Sequence, residues 1–288
     1  MQRFALLLAL LLSPFYQACA AESQSPPIFA KDNLVAWCIV PFDSKQRSPA
    51  ERAEMLSRLG ISRVAYDWRE KHIPTFEEEI LQYKKHNLEY LAFWSWHPAM
   101  EPLIRKHNIR PQIWITNPSP QHETQQARIE AAAQSLLPLV EKTKQLHLKL
   151  GLYNHGGWGG QPANLVAVCQ HLHQHYQANH VGIVYNFHHG HEHIDSFADS
   201  LTTMLPYLHC LNLNGMADPA VVAAGNDKIL PIGSGIHEEK MLRIVQASDY
   251  NGPIGILDHR SDTDSEQSLL QNLTGLQQVI ATFSTATE

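Results

Sequence analysis

Eight times between residues 33 and 282 a short apolar run is followed by a stretch with helical start and stop signals. The runs fall at 33–40, 61–68, 88–96, 111–116, 148–153, 181–185, 208–213 and 253–257. They are continuously apolar instead of alternating, which is the pattern of strands buried on both faces. Strands that alternate with helices pair in parallel through helical crossovers. Eight such pairs over roughly 250 residues match an α/β (β/α)8 TIM barrel, and that fold is expected here. An open doubly wound sheet is the alternative. It would carry a Gly-rich phosphate loop after the first strand, whereas Pro41-Phe42-Asp43 offers none.

The helical segments are punctuated in the expected way. Ser48-Pro49 with Glu51 starts a helix that Gly60 stops. The helix over 75–86 has Glu77, Glu78 and Glu79 first and Lys84 and Lys85 last, which suits the macrodipole. Shorter helices are expected at 98–106, 162–177, 196–208 and 238–247, and long ones at 121–147 and 265–282. In the helix over 121–147 the apolar stripe is Ile129, Ala133, Leu136, Leu137 and Val140. Residues 228–231 are expected as an extra extended piece. No Pro/Gly/Ser linker or charge block divides 31–284, so it is read as a single domain.

Residues 1–20 are read as a secretory signal peptide. Arg3 precedes an apolar run, and Ala18-Cys19-Ala20 fits a cleavage site. The run is too short to span a bilayer. Tyr16 and Gln17 argue against acylation of Cys19. Residues 21–30 are read as the mature tail, and the protein as secreted or periplasmic. Loss of Arg3 takes the formal net charge from −6 to −7. An acidic exported protein is poorly suited to nucleic acid or anionic membranes. Cys38, Cys169 and Cys210 have no metal or redox spacing and are expected as small buried hydrophobes.

The densest chemistry follows the sixth strand, where His188, His189, His191 and His193 fall within six residues. In a barrel all strand ends meet at one mouth. Those ends supply Asp67 and Trp68; Trp94, Trp96 and His97; Asn117; Asn154, His155 and Trp158; Asn186; Asn212 and Asn214; and Asp258, His259 and Arg260. Amides and imidazoles serve hydroxyl groups, and tryptophan faces serve sugar C–H surfaces, so a small carbohydrate is the expected ligand. The histidines would serve either a metal or acid/base catalysis. His171, His173 and His175 are read as a solvated helix face, although His171 and His175 have chelating spacing. Gly233–Gly235 would suit an anion or simply a tight turn. The triplet at Asn272 falls on a helix and is given no weight as a glycosylation site.

The runs LYNHGGWGG, VYNFHHGH, LNLNGM, IGSG and GPIGILDH resemble the xylose isomerase-like barrel superfamily of sugar isomerases and epimerases, with a DNA-repair endonuclease group as relatives. The resemblance covers most of 33–281 and implies a metal held by acidic and histidine ligands. Carried over by position, those ligands fall on Tyr153, Asn186, His189, Asn212 and Asp258, so only His189 and a shortened carboxylate remain. A hard divalent ion is poorly served by such a set. The cofactor stays open between a divalent metal such as zinc or manganese, on His189, His191 and Asp258, and none at all.

Two functions are compatible with these residues. One is an exported isomerase or epimerase that abstracts a proton next to a carbonyl. His189, His155 and Asp258 would be its catalytic groups, with Asn154, Trp158, Asn186, His188, Asn212, Asn214, His259 and Trp96 binding the sugar. A lyase or hydratase on an oxidised glycoside shares that step. The other is non-catalytic carbohydrate binding on a decayed enzyme fold, which the lost ligands favour and the histidine density disfavours.

Overall fold

The computed structural model describes residues 27–225 and 228–283. The signal peptide, Cys19 and most of the tail lie outside the described residues. Eight strands are present: β1 Leu34–Trp37, β2 Arg63–Tyr66, β3 Glu89–Trp94, β4 Gln112–Thr116, β5 Leu150–Tyr153, β6 Val181–Asn186, β7 Leu208–Leu213 and β8 Ile254–Leu257. They close in sequence order into one barrel, and every pair, including β8 with β1, is parallel. Outside them run α1 Pro49–Leu59, α2 Phe76–Lys85, α3 Met100–His107, α4 Gln125–Gln145, α5 Gly157–Gly160, α6 Pro162–Tyr176, α7 Phe197–Met204, α8 Pro219–Ala223, α9 Glu238–Ala247 and α10 Ser265–Ala281. The expected TIM barrel is the observed fold.

Local chemistry sets the helix ends. Ser48 and Glu51 form a reciprocal capping box on α1, and Gly60 closes it with φ 66°. Thr124 and Asp264 cap α4 and α10 by accepting from the amides of Ala127 and Glu266. The expected helix over 121–147 is therefore shorter at its start, because its first residues lead up to the cap. The expected strand over 33–40 also stops early. Cys38 turns out of β1 with φ 63°, and Ile39 and Val40 stay buried without being paired. Apolarity there reports burial and not strand. The expected extended piece at 228–231 contributes one antiparallel bridge, Leu230 to Gly215. Cys38, Cys169 and Cys210 are free and buried.

Two apolar regions carry the fold. The larger packs the outward strand residues against the helices, among them Ala36, Tyr66, Phe93, Leu152, Tyr185 and Ile256. The smaller fills the barrel itself with Val35, Trp37, Ala65, Trp114, Tyr153, Val184, Cys210 and Leu257. Trp37 meets Trp114 edge-on at 5.0 Å, and Trp94 meets Tyr153 at 4.6 Å. Gly151 makes room for this plug, since a Cβ there would strike Val184 and Trp114. The upper layer of this aromatic plug is the floor of the mouth at the strands' carboxyl ends.

Candidate active site

A cavity of about 90 Å³ opens over that floor. Its walls come from six strand ends: Trp37, Cys38 and Phe42 after β1, Asp67 and Arg69 after β2, Trp94 on β3, Tyr153 and His155 at β5, His188 and His189 after β6, and His259 after β8. Larger hollows lie elsewhere, about 550 Å³ at the amino ends of the strands and about 620 Å³ between α4 and α6. Neither is lined by any of these strand-end groups, so the mouth is where the chemistry converges.

Asp67 is the most unusual group in the mouth. It is 2% exposed, and neither carboxylate oxygen has a side-chain partner. Burial pushes its pKa up to about 7, against the pull of the Arg69 guanidinium. That guanidinium lies 5.3 Å over the Phe42 ring, and Phe42 packs on His259 at 3.9 Å. Beside Asp67 the Cys38 thiol is pushed well up by burial and by Asp67 and Asp258, so it stays protonated. Ala65 on β2 belongs to the plug, and Asp67, two residues on and on the same face, lines the cavity above it.

His155, His188, His189 and His259 meet at the mouth, whereas His191 and His193 line a neighbouring hollow. His188 and His189 rings lie 3.7 Å apart, His155 and His189 4.5 Å, and His188 and His259 5.9 Å. Burial lowers the pKa of His189 to about 3 and of His188 well below its ordinary value, and each neighbour's charge adds to this. Both are neutral near pH 7. Lys228 Nζ donates to His189 Nδ1 at 3.2 Å. Tyr153 Oη accepts from Trp37 Nε1, which leaves its own proton available.

Other expected site residues are placed differently. Asn154, Asn186, Asn212 and Asn214 are buried and do not line the mouth. Asn154 Oδ1 accepts from the backbone and side-chain amides of Asn186, and Asn154 Nδ2 donates to the Asn186 carbonyl. Asn214 Nδ2 donates to the Gly215 carbonyl, and Asn212 Oδ1 accepts from the Cys210 thiol. Asn212 fits only because position 255 is glycine, where a Cβ would collide with its amide. Trp158 Nε1 donates to Gln125 on α4, and Trp96 packs on the outer core. Asp258 is fully buried, and its Oδ1 accepts from Ser268 Oγ at 2.8 Å. Burial raises its pKa to about 6, yet it lines no part of the mouth. The acidic residue that lines the cavity is Asp67, which the sequence placed at the mouth without naming it as a catalytic or binding group. Arg69, Tyr153 and Lys228 are further groups that the sequence did not single out as catalytic or binding residues.

The residues at the family's ligand positions do not fit a metal. Tyr153 is a protonated phenol held by Trp37, Asn186 is tied to Asn154, Asn212 is neutral, and Asp258 is engaged by Ser268. His191 Nδ1 is taken by the His188 carbonyl at 3.2 Å, which leaves only its Nε2 for any other partner. Among the described residues no group of three or more His, Cys, Asp or Glu is arranged to hold a metal ion.

The barrel is similar to several solved structures. The IolI protein with a bound zinc atom aligns with TM-score 0.67 at 10% identity, over 86% of this chain and 98% of that one. The probable 3-DHS dehydratase AsbF from Bacillus anthracis aligns with TM-score 0.62 at 14% identity, over 84% and 98%. The 3-keto-D-glucoside 4-epimerase YcjR from E. coli aligns with TM-score 0.61 at 13% identity, over 87% and 100%. At these identities the likeness is one of fold. No curated protein matches the sequence. The sequence model of the xylose isomerase-like TIM barrel matches residues 106–279, more than half of the chain, and the protein belongs to that family.

Proposed function

We propose that the protein is an exported enzyme that isomerises or epimerises a sugar or keto-sugar by moving a proton next to a carbonyl. The observation that carries this reading is Asp67. A carboxyl left without a side-chain partner inside a cavity, with its pKa near 7, is poised to take and return a proton at neutral pH. Structural ion pairs do not account for it. In the proposed step the Asp67 carboxylate takes the α-proton, and the C–H pair becomes the C=C of an enediolate. The carbonyl oxygen becomes an oxyanion that the His189 Nε2–H and the Arg69 guanidinium can stabilise. Return of the proton to the other face of the same carbon gives an epimer, whereas its return to the former carbonyl carbon, with the hydroxyl proton of the first carbon passed to the oxyanion, gives an isomer. His155, within 4.5 Å of His189 ring to ring, is the second proton carrier in this scheme. Binding without turnover would have no use for an unpartnered acid in the cavity. The export assignment rests on the first twenty residues.

The test is solvent-deuterium incorporation into D-fructose and other keto-sugars, read by mass spectrometry. Exchange that is lost in Asp67→Asn supports the reading. Exchange that survives in Asp67→Asn, or its absence from every keto-sugar tested, overturns it.

A further inference from the structure

The mouth is one of two chambers. A second cavity, of about 250 Å³, lies beside it, and His188 and His189 line both. One wall of this side chamber is apolar, formed by Pro219, Val222 and Ala223 of α8, which packs against the turn His191–His193. Glu192 and Gln161 are polar groups of the same lining, with Gln161 Nε2 donating to Glu192 Oε2 at 3.3 Å. Buried imidazole atoms along the chamber, His188 Nδ1 and His191 Nε2, have no hydrogen-bond partner. Buried polar atoms of this kind are satisfied by a ligand or by water.

Size decides what the pair can hold. Small-molecule sites are usually at least roughly 300 Å³, and neither chamber reaches that alone. The two taken together, sharing His188 and His189 as lining, do. From this we infer that the substrate is a glycoside of disaccharide size. Its reacting keto-sugar ring sits over Trp94 and Tyr153, and its second ring lies in the side chamber between Val222 and Glu192. The apolar wall suits a ring's C–H face, and the imidazoles, Glu192 and Gln161 suit its hydroxyls. This inference rests on the proposed reaction for the placement of the reacting ring.

The probes are D-fructose and three glucosyl-fructoses, turanose, maltulose and isomaltulose, titrated against the intrinsic tryptophan fluorescence of the mature protein. At least one disaccharide should bind tenfold or more tighter than D-fructose. Val222→Trp should remove that gain and leave the D-fructose affinity within twofold. Ala223→Trp fills the same wall and is the second variant if the first does not fold. Equal binding of all four sugars, no binding of any, or equal weakening of D-fructose and disaccharide by the tryptophan overturns the two-chamber substrate. Deuterium exchange into D-fructose without a disaccharide preference leaves the proposed reaction standing alone. A disaccharide preference without exchange supports the chambers and sinks the reaction.

Discussion

Lys228 Nζ donates to Nδ1 of His189 at 3.2 Å, an ammonium and an imidazole on two different loops of the barrel mouth. An ammonium has only donors, so His189 must accept at Nδ1, and its single ring proton sits on Nε2. His189 is thereby fixed as a neutral donor beside the cavity, not as the base. After burial, the Lys228 charge is the next cause of its low pKa. Lys228→Met should therefore raise the His189 pKa while leaving it below 6.5. A proton–nitrogen NMR titration checks this, and an unchanged value would mean the two do not interact in solution.

Asp67→Asn keeps the shape of the side chain and removes the base. General acid/base groups are worth about 10²- to 10⁴-fold. Exchange or turnover should fall by that range, with the circular dichroism spectrum unchanged. Asp258→Asn should cost much less, because Asp258 is held by Ser268 and lines no part of the mouth.

The pH dependence follows from the same groups with opposite signs. Asp67 has a higher pKa folded, about 7, than unfolded, so its protonated form favours the native state. That contribution is complete below about pH 4 and is lost as pH rises through about 7. Asp67→Asn should therefore gain stability relative to the parent at pH 8 compared with pH 4, read as the difference in Tm. His188 and His189 are depressed, so their contribution is present above about pH 6.5 and is lost as the pH falls below it. An equal Tm difference at both pH values would show that Asp67 does not titrate in this window.

Metal removal should have little effect. With Tyr153, Asn186 and Asn212 at three of the family's ligand positions, the donor set is poorly matched to hard divalent ions. EDTA treatment, and addition of Mg²⁺, Mn²⁺ or Zn²⁺, should leave Tm within about 1 °C, since a ligand that does not bind the native state cannot stabilise it. A saturable rise in Tm with one of these ions would overturn this assignment.

Asp43 holds the loop that carries Phe42. Its carboxylate accepts from the amides of Lys45, Arg47 and Ser265 and pairs with the Arg47 guanidinium, which also reaches Asp264. Asp43→Ala would take the side-chain acceptor from the amides of Lys45, Arg47 and Ser265 at a 4%-exposed position. A loss of about 2 kcal/mol is expected in urea unfolding. Activity should fall as well, because Phe42 would lose its packing on His259.

The sequence by itself determined the barrel and the place of its mouth. Continuous apolar runs such as 181–185, capped helices such as the one begun by Ser48, and their eightfold alternation are local signals, and local signals survive in one dimension. The histidine cluster was legible for the same reason, being contiguous at 188–193. The tertiary structure decided which strand-end groups face the ligand. Asp67 and Asp258 are both aspartates after strands, yet one lacks a side-chain partner in the cavity and the other is taken by Ser268, ten residues away on α10. Asn154 and Asn186 read as sugar ligands, but parallel pairing sets them side by side, where they bond to one another. Burial, hydrogen-bond partners and the resulting pKa are properties of neighbours, and neighbours from different strands are chosen only when the barrel closes.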